Sequence, residues 1–134
     1  MAALNVGEQI DAATHKRDGT AVSLPSGDLT THGVIVGMTG SGKTGLGIVL
    51  IEEALSAGVP VVAIDPKGDL TNLLLLFPDL APADFRPWIN EGDAAKAGVT
   101  PDEFAAQQAS AWKDGLASWG IGRDRLAALK SGAR

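Results

Sequence analysis

The chain has 134 residues, 45% of them hydrophobic, with no cysteine and a formal charge of −5. That length allows one buried core, the missing cysteine excludes a disulfide framework and any thiolate metal site, and the acid excess argues against a broad nucleic-acid-binding surface. Residues 1–80 hold four Lys and Arg against nine Asp and Glu, and residues 81–134 hold seven of each, so neither part carries a basic stripe. The first residues lack the basic-then-apolar order of a signal peptide, and no apolar run approaches the ~20 residues of a membrane-crossing helix. A cytoplasmic protein is expected.

Residues 1–19 are polar, and Lys16-Arg17-Asp18-Gly19 reads as a turn. Residues 20–24 alternate weakly and predict a short edge strand, stopped by Pro25-Ser26-Gly27-Asp28. After His32, a polar residue flanking the next element, Val34, Ile35 and Val36 form the β-branched, continuously apolar run of a buried parallel strand.

That strand runs into Gly37-Met38-Thr39-Gly40-Ser41-Gly42-Lys43-Thr44, in which Gly37, Gly42, Lys43 and Thr44 fit the Walker A phosphate-loop pattern, GxxxxGK(S/T). The chemistry needs those residue types. Glycines let the backbone take positive φ and approach a phosphate closely, and the N–H groups and positive dipole end of the following helix bind the anion. Lys43, the candidate catalytic residue, adds a point charge for the terminal phosphates, and the Thr44 hydroxyl is the expected Mg²⁺ ligand. The predicted ATP site is Gly37, Thr39, Gly40, Ser41, Gly42, Lys43, Thr44 and Gly45. The bland alternative is a glycine-rich turn that binds nothing, but such a turn has no use for Lys-Thr after its last glycine.

The following helix carries Leu46, Ile48, Val49, Leu50, Ile51, Ala54 and Leu55 around most of its circumference, leaving Glu52 and Glu53 for solvent. Gly58 and Pro60 end it, and residues 61–64 are the next strand, completing a right-handed parallel βαβ unit. Asp65-Pro66-Lys67-Gly68-Asp69 then closes that strand. Asp65 at the carboxyl edge of a parallel sheet could reach Mg²⁺ or a substrate. Equally, the segment could be a turn, with Asp69 capping the short helix that follows.

Residues 73–77 read as core, and residues 79–99 as short helices joined by loops. Thr100-Pro101-Asp102-Glu103 is a helix start signal. Ala105, Ala109, Trp112, Leu116 and Trp119 then form a narrow stripe, expected to pack on its own domain rather than serve a partner. Residues 123–130 predict one more helix, whose Arg123 and Arg125 are read as surface charge rather than arginine fingers.

Hydrolysis also needs an acid on a second strand and a group that aims water. Residues 59–65 are the only later apolar run ending in an acid, and Pro66 stands where a catalytic Glu often follows, so Asp65 is read as the end of the second strand and not as a Walker B acid. Residues 31–45, taken with Ile64-Asp65-Pro66-Lys67-Gly68-Asp69-Leu70, resemble bacterial ATP-binding proteins with a HerA-type helicase central domain, in the HerA/FtsK group of motor ATPases. The resemblance implies a RecA-like ATPase, often hexameric, that couples ATP hydrolysis to movement on DNA, with residues 37–44 as its nucleotide loop. The expected fold is an α/β P-loop NTPase core with a parallel sheet, incomplete in this N-terminal piece. Residues 1–80 are its nucleotide-binding core and 81–134 a helical extension. The rival readings are a P-loop kinase using Asp65 on a small-molecule acceptor, and a non-hydrolysing nucleotide-binding module that docks a partner through Trp112 and Trp119.

Overall fold

A computed structural model that describes residues 2–132 places β1 at Ala3–Ile10, where Leu4 is buried and two register shifts interrupt the alternation of the strand. β1 pairs antiparallel with β2 (Arg17–Pro25), setting Leu4 opposite Leu24 and Asn5 opposite Ser23. The predicted edge strand at 20–24 is therefore the centre of β2. The turn lies earlier than Lys16: the Asp11 carboxylate accepts from Thr14 N (2.7 Å), Thr14 Oγ1 (2.8 Å) and Ala13 N (3.1 Å). Arg17 already opens the second strand and pairs with Glu8 at 3.7 Å.

A 3-10 turn over Ser26–Thr30 leads to the loop, and α1 (Lys43–Ser56) follows it. The helix stops where the sequence indicates. Gly58 takes φ +76°, and the Gly58 and Val59 N–H groups close the last turn on Leu55 and Ala54.

The sheet is a correction to the expected parallel core. Among the described residues the only ladder is β1 with β2, and it is antiparallel; residues 33–36 and 59–64 are outside any sheet. Parallel sheets persist when both faces are covered, whereas Val34 is 83% and Val62 90% exposed. The β-branched runs are there, but the layers that would bury them are not.

Residues 2–73 and 74–132 form two compact units. The second is helical: α2 (Pro82–Phe85), α3 (Glu91–Lys96), α4 (Pro101–Ala117) and α5 (Arg123–Gly132). Its core is Phe85 against Ala105 and Ala109, with Phe77, Leu80 and Ile89 around it. The two small alanines let the Phe85 ring come close to α4, and the Phe77 ring lies 5.0 Å away at 57°. α4 begins as its capping signal indicates. Thr100 Oγ1 accepts the Glu103 N–H (3.2 Å), and the Glu103 carboxylate accepts the Thr100 N–H (2.8 Å).

The α4 stripe is fully buried only in its first half. Ala105 and Ala109 are buried, whereas Trp112 stays 56% and Trp119 50% exposed. No helix among the described residues is long and apolar enough to cross a membrane.

Candidate functional site

Residues 37–42 are all exposed, and they fold back on one atom, the Met38 carbonyl oxygen. It accepts the Ser41 N–H at 3.2 Å and the Lys43 ammonium at 2.6 Å. The curl needs glycine at two positions, since Gly40 and Gly42 sit at φ +80° and +86°. Gly37 contributes in a different way. A Cβ there would collide with Ser41 Oγ and lie 3.4 Å from Lys43 Cγ, so the first glycine makes room for the last turn of the loop.

Gly42 caps α1, and the Leu46 N–H bonds to the Gly42 carbonyl at 3.0 Å. The N–H groups of Lys43, Thr44 and Gly45 come before that bond, at the positive end of a 14-residue helix. Lys43 is half-buried and Thr44 exposed in the same turn. An ammonium has three N–H donors; the bond to Met38 uses one and leaves two for an anion. The preceding segment passes near the start of the helix, where the Ile35 Cδ1 lies 4.0 Å from the place a Gly47 Cβ would take.

The predicted residues 37–45 thus share one exposed loop and first helical turn; nothing lies within 4 Å of the places that a Cβ would take at Gly40, Gly42 and Gly45, while Ser41 occupies that at Gly37. That donor set suits a polyphosphate: backbone amides and one ammonium for the oxygens, one hydroxyl for a hard cation. Among the described residues no group of three or more His, Asp or Glu forms a ready metal cage, so a cation here would rely on Thr44, water and the phosphates themselves.

Asp65 behaves as the turn alternative describes. Its Oδ1 accepts the Gly68 N–H at 2.9 Å and its Oδ2 the Leu70 N–H at 2.7 Å. Asp69, expected to cap the following 3-10 turn (Thr71–Leu74), instead pairs with Lys67 at 2.7 Å. The Leu70 N–H above all holds the Asp65 carboxyl below its ordinary value; desolvation opposes it and is the next largest effect, and the N–H groups of Gly68, Asp69 and Lys67 add to the lowering. A carboxyl depressed in the folded state stabilises its turn above the ordinary value of 3.8 and loses that contribution as pH falls through the lower, folded one. The expected result is protection of the Gly68 and Leu70 amides relative to their intrinsic exchange rates near neutral pH, lost on acidification below the ordinary value of 3.8. In Asp65→Ala that protection should be absent at every pH, as hydrogen-exchange NMR corrected for intrinsic rates would show.

Arg123 donates to Asp79 at 2.7 Å, in keeping with surface charge rather than a finger. Sequence reasoning missed Glu53, which was assigned to solvent and is buried. A signal was available: Glu53 follows Leu46 by seven residues, Val49 by four and Leu50 by three, which puts it on their face of the helix.

No curated protein and no solved structure matches the chain. The family description "Helicase HerA, central domain" matches residues 4–105, a span that includes the β-hairpin, the loop, α1 and the Asp65 turn. Families of this kind are ATPases of helicase type that use ATP and Mg²⁺. By that match over most of its length, the chain belongs to the HerA helicase central-domain family.

Proposed function

We propose that residues 37–45 bind the polyphosphate of Mg·ATP, and that the chain is the nucleotide-binding part of a HerA-type motor that couples ATP hydrolysis to DNA movement. The observation that carries the reading is the loop closed on the Met38 carbonyl, with Lys43 and the first-turn amides of α1 beside it. In this reading the amides of residues 40–45 hold the phosphate oxygens, and Lys43 trades part of its bond to Met38 for the terminal phosphate. The Thr44 hydroxyl ligates Mg²⁺. The bound metal supplies charge neutralisation between neighbouring phosphates.

The exposed runs 33–36 and 59–64 fit strands of a larger sheet, whose neighbours come from polypeptide beyond the described residues. Residues 1–80 then act as the nucleotide core and residues 81–134 as its helical extension, and the DNA contacts and homo-hexameric assembly belong to the complete protein. The kinase reading is weaker, because it needs Asp65 as a base. A carboxylate with a lowered pKa and both oxygens accepting backbone N–H groups is a poor one.

Equilibrium titration with a fluorescent ATP analogue tests the site. Saturable 1:1 binding, displaced by ATP and ADP and far less by AMP, is expected, since the loop is built for more than one phosphate. Displacement by adenosine as effective as by ATP would place recognition elsewhere.

A further inference from the structure

We infer that Glu53 is a positioning residue for the loop at 37–44: it sets α1 against β1 through the backbone N–H of Asn5. The inference rests on the reading of that loop as a phosphate site. Glu53 Oε2 accepts the Asn5 N–H at 2.8 Å, and Glu53 is the buried polar residue of the described core, 9% exposed.

Two features make a carboxylate unfavourable there. It is removed from water, and it lies in the last turns of α1, at the negative end of the helix dipole. Packing alone would be served better by leucine. What the carboxylate adds is a directed hydrogen bond to one backbone atom.

β1 is shaped to supply that atom. Its ladder with β2 shifts between Asn5 and Gly7, so Val6 is an extra residue, and Asn5 Oδ1 holds the irregularity by accepting the Gly7 N–H at 3.2 Å. The Asn5 N–H turns to the helix at this break. Beside it, Leu4 is 1% exposed and anchors the strand.

A helix is stiff along its axis. Fixing Glu53 therefore fixes the height and rotation of Lys43, Thr44 and Gly45, ten to eight residues earlier on the same helix. Displacing such donors by about 1 Å is enough to weaken a preorganised anion site.

The test uses the full chain, Mg·ATP and three variants, each titrated well below its melting transition with helix content checked by circular dichroism. Glu53→Gln keeps an acceptor oxygen and should bind within about twofold of the parent, whereas Glu53→Leu should bind about tenfold more weakly. In Glu53→Leu the amide resonances of Gly40, Gly42 and Lys43 should also move without any ligand, a change that loss of stability alone does not produce. If Glu53→Leu does not fold, Glu53→Asp, one methylene shorter, should give weakened binding with retained helix content. Parent-like affinity in Glu53→Leu, or in Glu53→Asp where that variant stands in, overturns the inference and leaves the loop reading intact. Absence of saturable binding by the parent chain overturns both.

Discussion

Lys43→Ala should remove most of the affinity for Mg·ATP. Hydrogen bonds to a charged group contribute about 1.5–3 kcal/mol, which converts to a loss of roughly ten- to two-hundredfold in Kd. The loop should survive the change, because the Met38 carbonyl keeps its bond from the Ser41 N–H and the left-handed glycines are untouched. Loss of affinity with an unchanged circular dichroism spectrum is therefore the expected pair of results. Lys43→Arg should rescue little. A planar guanidinium cannot replace a compact ammonium that donates to Met38 at 2.6 Å and still reaches a phosphate. Superimposable titration curves for Lys43→Ala and the parent would rule the site out.

Phe85→Ala should cost about 3–5 kcal/mol, the range for emptying a buried aromatic site. The helical unit has few large side chains to close the gap: beside Phe85 its buried apolar residues are Ala94, Ala105, Ala109, Leu126 and Leu129. A loss of that size is a large share of the stability of any small domain. The expected observation is a melting transition lowered by well over ten degrees, or loss of the helical signal from α4 at room temperature. Trp112→Ala is the control. That ring is the larger of the two but half exposed, so its removal should change stability by no more than about 0.5 kcal/mol. Equal shifts for the two variants would mean that the core has been misplaced.

What could be read from the sequence was local. The loop declares itself because each requirement is met within eight residues: left-handed φ at Gly40 and Gly42, room at Gly37, and a cation that reaches back to Met38. α1 and α4 were legible for the same reason, since Gly58 and the Thr100–Glu103 box act on their own turns.

Whatever depends on a distant partner was not legible. Residues 3–10 read as polar because Leu4 and Val6 are few, and the meaning of Leu4 emerges only opposite Leu24. Residues 33–36 and 61–64 announce an extended chain, yet a β-branched run carries no information on which strand lies beside it. The stripe from Ala105 to Trp119 is spaced as on a helix, but spacing does not tell its buried positions, Ala105 and Ala109, from its half-exposed ones, Trp112 and Trp119. Asp69 was expected to cap the turn and does not, because Asp65 is the one placed to reach the Leu70 N–H while Asp69 is drawn to Lys67.

The most direct measurement is an amide chemical-shift map of the labelled chain during titration with Mg·ATP. Saturable shifts concentrated at Gly40, Gly42, Lys43, Thr44 and Gly45, with one common dissociation constant, are the predicted result. A map in which those five amides stay still while other residues respond would contradict a polyphosphate site at the start of α1.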